Sequence, residues 1–404
     1  MQPVAVFNAG SSSIKFAVFE DNPEYPILFR GQVEKLGVAP RLVVKNSDDE
    51  QIVERSWSAA ELDHAAATTT ILETAIELLG GRHVRAVGHR VVHGGTKFAS
   101  PIVVSPEVVS DLRGLCPLAP LHQPHNLAAI DAIAAAAPHV PQVACFDTAF
   151  HRTQPEVAQM FAVPVELANL GIRRYGFHGL SYEYIGMRLR AVAPQLAGGR
   201  VVVAHLGNGS SLCGMHNGRS VATTMGFTAV DGLMMGTRSG AIDPGVLIYL
   251  MDERGMDARA LEDLVYKRCG LLGVSGISSD MRTLRDSNQA SATTAIRLFV
   301  YRIVREIGSM AAALGGVDAI VFTGGIGQND AKTRAEIGEG CGWLGLVIEP
   351  RLNQIGNSRI DGEGSEIAAF VIPTDEEQMI ARHTSALLGP DGYPSYAPVQ
   401  VARL

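Results

Sequence analysis

Cysteine is scarce in this chain of 404 residues: Cys116, Cys145, Cys213, Cys269 and Cys341 are scattered, odd in number and form no Cys-x-x-Cys pair. That pattern offers no disulfide framework and reads as small buried apolar residues in a reducing cytoplasm. Basic charge is also short. Lys and Arg number 34 against 41 Asp and Glu, a net charge of −7, which disfavours general affinity for a nucleic-acid backbone. No run of about 18 apolar residues is free of polar breaks, and the start, MQPVAVFNAG, has no basic stretch ahead of an apolar one, so neither a membrane span nor a secretion signal is expected. The phosphate-binding pattern G-x-x-x-x-G-K-[ST] is missing, which excludes a P-loop protein. A G-x-G-x-x-G does occur at Gly340 to Gly345, but it follows the charged, helical AKTRAEIGE and not a strand, so a dinucleotide fold is not read from it.

What the chain does contain is glycine in special places. VAVFNAGSSSIKF and VVVAHLGNGSSLCG each read as a β-branched strand, a Gly/Ser/Asn turn and a second strand. Laying Gly10 on Gly209 places Ser11 and Ser12 on Ser210 and Ser211, which implies two related halves with a nucleotide's phosphates between them. A third glycine-rich turn, TGGIGQND (323–330), also follows an apolar strand. Glycine permits close backbone approach and positive φ, and Ser and Asn add donors, so three such turns point to phosphate recognition.

The length calls for two domains. Strands at about 3–8 and 13–19 open the first, with more strands such as RLVVK before about residue 60. Helical periodicity follows in ATTTILETAIELLGG, a strand in VRAVGHRVVHGG, a helix in NLAAIDAIAAAA and a strand in PQVACFDTAF, the alternation of an α/β fold. From about residue 150 the text is loop-rich through GIRRYGFHGLS, which sets the domain boundary there. Beyond it come a helix in YEYIGMRLRAVAPQL, the second glycine turn, helices to about 314, the strand AIVFTGG, a strand near EIAAFVIP and a last helix, EEQMIARHTSALLG, ahead of a Pro-rich, frayed ending.

Arg and His cluster in short neutral loops: GHRVVHGG, LAPLHQPH, RRYGFHG and GTRSGAIDPG. The planar guanidinium matches carboxylate and phosphoryl oxygens, so Arg90 and Arg238 are the natural clamps. His89 with His93 and His122 with His125 lack the context of a zinc motif. His178, and after it His122, can instead donate to a phosphoryl group in transfer. Asp147 follows a strand and is well placed for a ligand; Glu376 begins a helix, where the dipole alone favours a carboxylate.

In order along the chain, NAGSSSIKF, GHRVVHGG, LAPLH, FDTAFH, RRYGFHG, HLGNGSSL, GFTAVDGLMMGTRSG, SGISSDMR, FTGGIG and the tail EE resemble the acetate kinase family of the acetate/sugar kinase, actin and heat-shock ATPase superfamily. The resemblance implies an α/β fold of two related domains with ribonuclease-H-like, actin-like cores and an interdomain nucleotide cleft: residues 1–149 with the C-terminal helix of about 376–404, and residues 150–375. It implies Asn8 and Glu376 as magnesium ligands, with Mn2+ as a substitute, and Lys15 as an ATP contact. Nucleotide loops fall on His205, Leu206, Gly207, Asn208 and Gly209, on Asp280, Met281 and Arg282, and on Gly324, Gly325, Ile326, Gly327 and Gln328. The acyl substrate falls to Arg90, Val92, Leu121, His122 and Phe177, and the chemistry to Arg90, Asp147, His178 and Arg238. The implied reaction is reversible transfer from Mg-ATP to acetate, giving acetyl phosphate and ADP, by a cytoplasmic homodimer.

The chain departs from the family pattern at Leu180, Tyr182, Ala229, Ala241, Gln328 and Asp375. Ala229 replaces a proline beside the acyl methyl, which makes room for a methylene and leaves propionate kinase as the alternative reading. A non-enzymatic ATPase switch of the same architecture is a further alternative, against which the acceptor-directed arginine loops argue.

Overall fold

The computed structural model describes residues 2–10 and 12–388, and the chain divides into two compact units, Met1–Ala149 with Asp375–Leu404, and Phe150–Thr374. The Pro-rich ending and the part of the last helix expected beyond Leu388 lie outside the described residues.

In the first unit β1 (Val4–Ala9), β2 (Ile14–Phe19), β3 (Ile27–Glu34), β4 (Arg41–Asn46), β5 (Gln51–Ser56), β6 (Ala86–Val91), β7 (Ile102–Val103) and β8 (Gln142–Phe146) form one sheet in the order β5-β4-β3-β2-β1-β6-β8-β7. β1 runs antiparallel to β2 and parallel to β6, and β6 parallel to β8. Ala5, Phe7, Ile14, Phe16 and Val18 pack with Ile71 and Ala75 of the helix His64–Leu79 and Ile133 of the helix Gln123–Ala136. Gly88 lets the last helix, Glu376–Leu387, lie close on the sheet, because a β-carbon there would meet Thr384 and Ile380 at 2.3 and 2.5 Å.

The second unit repeats the plan. β9 (Arg200–His205), β10 (Ser211–His216), β11 (Arg219–Thr223), β12 (Ala319–Thr323) and β13 (Ala368–Val371) lie in the order β11-β10-β9-β12-β13, with β9 parallel to β12 and β12 to β13. Both faces of β9 are covered, which is why its text is an unbroken VVVA: Val202 and Ala204 face the long helix Ala290–Leu314, Val201 and Val203 the helix Gly179–Val192.

Several expectations are corrected. The ladder sets Ala9 opposite Ile14 and His205 opposite Ser211, so Ala9 corresponds to His205, not Gly10 to Gly209; the second turn, Leu206 to Ser210, is one residue longer than the first. TGGIGQND is not an open turn: β12 ends at Thr323 and the helix Gly324–Asn329 begins at once. The helix expected from Ala67 begins at His64, capped by the Asp63 carboxylate on Ala66 N–H. The helix expected over YEYIGMRLRAVAPQL starts earlier, at Gly179, and stops at Val192, two residues before Pro194.

Candidate functional site

In the first unit, polar staples gather the motifs. Asn126, in the first turn of the helix Gln123–Ala136, accepts from Val92 N–H at 3.0 Å and donates to Ala9 O at 2.6 Å. Gln123 exchanges bonds with both the N–H and the C=O of His93. NAG, RVVH and LHQPHN therefore meet at the ends of β1 and β6. Val92 is buried there, and His122 and Leu121 stand just before the helix.

Arg90, from β6, grips Asp147 immediately after β8: Nε donates to Oδ1 at 3.0 Å and Nη2 to Oδ2 at 2.5 Å. Its Nη1 donates to Asn8 Oδ1 at 3.2 Å, and Nε lies 3.8 Å from Glu376 Oε2. Asn8 Nδ2 donates to Glu377 Oε1 at 3.4 Å, and Lys15 is the ladder partner of Asn8. Burial works against the Arg90 charge, but Asp147 and Glu376 outweigh it and raise its pKa further. Burial, with Asp147 and Glu377 nearby, pushes Glu376 up to about 7 against the pull of Arg90 and Lys15. Carboxylates thus outnumber the cations that face them, an arrangement suited to a hard divalent cation. Among the described residues no three His, Cys, Asp or Glu side chains cage a metal.

In the second unit the loops at the C-terminal ends of β9 and β12 are tied together. Leu206 N–H donates to Thr323 O, while Ile326 and Gly327 N–H donate to Leu206 O. Gly324 has φ +76 and sits where a β-carbon would lie 2.7 Å from Leu206 O. Asn208 packs on the GTRSG loop, with Gly236 N–H donating to its carbonyl. His178 and Arg238 converge over the turn: a β-carbon at Gly209 would lie 3.3 Å from His178 Nε2 and 3.7 Å from Arg238 Nη1. Arg238 is aimed by its bond to Ala229 O at 3.0 Å. Asp280 caps the helix Met281–Arg285 and pairs with exposed Arg282; Arg285 of that helix bridges to Asp330 and Glu336.

His178 is a non-glycine residue at φ 59, and the RRYGFHG text explains how it is held. Buried His151 donates from Nε2 to Phe177 O at 2.9 Å and accepts at Nδ1 from Ser220 Oγ. Gly176, at φ +78, is required because a β-carbon would fall 2.5 Å from the His151 ring. His151, Asn126 and Gln123 were not among the residues singled out from sequence, and Ser211 was named only as part of the second glycine turn. Nothing in spacing marks His151.

The expected residues therefore form two sets: Asn8, Lys15, Arg90, Val92, Leu121, His122, Asp147 and Glu376 in the first unit, and Phe177, His178, Arg238 and the three nucleotide loops in the second. The GCGWLG segment ends one helix and forms a short 3-10 turn, Gly342–Leu344, with no strand before it.

The sequence profile of the acetokinase family matches residues 3–382. An acetate kinase of Rhodopseudomonas palustris is 53% identical over 384 residues, 94% of this chain and 96% of that protein. The crystal structure of Porphyromonas gingivalis acetate kinase is 39% identical with a TM-score of 0.86, covering 96% of this chain and 100% of that one. A propionate kinase of Francisella tularensis is 34% identical with a TM-score of 0.88, covering 95% and 99%. With the family profile matched over residues 3–382 and this identity along nearly its whole length, the chain belongs to the acetokinase family.

Proposed function

We propose that this protein is an acetate kinase, transferring the terminal phosphoryl group of ATP to the carboxylate of acetate and reversing the reaction from acetyl phosphate and ADP. The observation that carries the reading is Arg90: a partly buried guanidinium fixed by Asp147 beside a carboxylate excess. Acetate is already ionised at neutral pH, so the reaction needs no strong base. The work is orientation and charge neutralisation.

Arg90 holds the acceptor carboxylate, and Val92, Leu121, His122 and Phe177 surround the acyl group. Asp147, engaged by two bonds to Arg90, orients that guanidinium and does not abstract a proton. His178 and Arg238 donate to the phosphoryl oxygens as negative charge spreads over them. The loops His205–Gly209, Asp280–Arg282 and Gly324–Gln328 hold the nucleotide, with Lys15 on its phosphates. Asn8 and Glu376 would hold Mg2+, which when bound neutralises phosphate charge. ADP release with Mg-ATP, with and without acetate, tests the reading: acetate-dependent release supports it, and equal rates overturn it.

The same reading includes a homodimer in the cytoplasm. The helix Pro244–Arg254 is largely apolar yet has no buried residue; Ile248 is 58% and Tyr249 50% exposed. Val157, Met160, Val165 and Leu170 add exposed apolar surface in the same unit, the kind of surface that marks an interface. Sedimentation giving twice the chain mass supports the dimer, and a monomer at micromolar concentration opposes it. The five cysteines are free, as a reducing compartment requires, and no helix of the described residues is long and apolar enough to cross a membrane.

A further inference from the structure

Tyr182 is one of the departures from the family pattern, and its side chain is fully buried in the helix that begins just after His178. Its Oη is hydrogen-bonded to Ser211 Oγ, and Ser211 Oγ lies 2.9 Å from His178 Nδ1. We propose that Tyr182 is a positioning residue for His178, setting through the Ser211 hydroxyl which ring nitrogen carries the proton. The inference rests on the reading of His178 as a donor to the phosphoryl group.

A phenol is the more acidic of the two hydroxyls and hence the better donor, so Tyr182 gives its proton to Ser211 Oγ. Ser211 then has one proton to give, and His178 Nδ1 is within reach to accept it. A neutral imidazole that accepts at Nδ1 bears its hydrogen on Nε2. Nε2 is the atom that faces Gly209 beside Arg238 Nη1. The ring is held flat against His205, with centroids 4.3 Å apart, and His205 Nδ1 is bonded to Ser181 Oγ at 2.8 Å. The titratable and charged groups around His178 include His205 on its face, Arg238 beyond Nε2, and Tyr182 behind Ser211, with His151 against the far side of Tyr182 at 5.6 Å between ring centroids. The fixed charge of Arg238 disfavours an imidazolium. A neutral Nε2–H donor meets both constraints and goes on donating when the medium is alkaline.

The test compares the full-length wild type with Tyr182→Phe, Ser211→Ala and the double variant, by 15N spectra of histidine-labelled protein and by kcat and KM with Mg-ATP and acetate. The wild type is expected to show His178 with its proton on Nε2. Tyr182→Phe frees Ser211 to accept from Nδ1–H, so the tautomer shifts and kcat falls about tenfold, with both KM values within about twofold. The double variant should lose no more than Ser211→Ala. An unchanged tautomer in Tyr182→Phe, or losses that multiply in the double variant, would overturn the relay. A wild type that makes no acyl phosphate would sink the proposed function instead, and the spectra would still decide the tautomer.

Discussion

Arg90 and Asp147 are joined by two parallel hydrogen bonds, Nε to Oδ1 and Nη2 to Oδ2, across neighbouring parallel strands. Both carboxylate oxygens are therefore spent on one guanidinium, which leaves Asp147 poorly placed to act as a base. Asp147→Asn keeps the shape but loses the charge, and kcat/KM for acetate should fall about a hundredfold, with KM for ATP little changed. Near-wild-type efficiency would show that the Asp147 charge does nothing for the acceptor.

Gly176 and Gly364 have similar positive φ, +78 and +80, but differ in what surrounds them. A methyl group at Gly364 meets open space, and Gly364→Ala should cost about 1 kcal/mol of stability. At Gly176 it meets the His151 ring and Thr223, so Gly176→Ala should cost about 3 kcal/mol or more and lower kcat by displacing His178. Equal shifts in urea midpoint for the two variants would contradict this packing.

Burial lowers His89, His93 and His151 to about 4. In the unfolded chain a histidine titrates near 6.5, so the unfolded state takes up the protons first as pH falls. The stability that these neutral rings contribute is complete above about pH 6.5 and is lost progressively towards pH 4, by about 3 kcal/mol for each ring at most. Urea unfolding between pH 7 and 4.5 should show a falling midpoint with proton uptake on unfolding; a flat midpoint would rule out neutral buried rings.

How much of this was legible in the text depends on distance along the chain. The two hairpin glycine turns, the strand before Asp147 and the Arg90 and Arg238 loops were readable because each is a local pattern. The register of the two hairpins was not, since glycine and serine mark a turn without stating its length, and Gly10 was laid on Gly209 where the ladders equate Ala9 with His205. Nor was the role of His151, whose partners Ser220 and Phe177 lie 69 and 26 residues away. The carboxylate excess around Arg90 was hidden for the same reason, because Glu376 reaches it from the far end of the chain.

The resemblance sets a proline, beside the acyl methyl, at the position of Ala229, whose carbonyl aims Arg238. Proline keeps that carbonyl, so Ala229→Pro should leave acetate turnover within about twofold while lowering the propionate-to-acetate ratio of kcat/KM about fivefold, roughly 1 kcal/mol of selectivity. An unchanged ratio would remove Ala229 from the account of substrate choice.

The most direct measurement is hydroxylamine trapping of the acyl phosphate during Mg-ATP turnover, with acetate, propionate, butyrate and no acceptor in parallel. A carboxylate kinase gives acyl hydroxamate only when a short carboxylate is present, with acetate fastest. ATP consumed equally without an acceptor, and no hydroxamate, would contradict it.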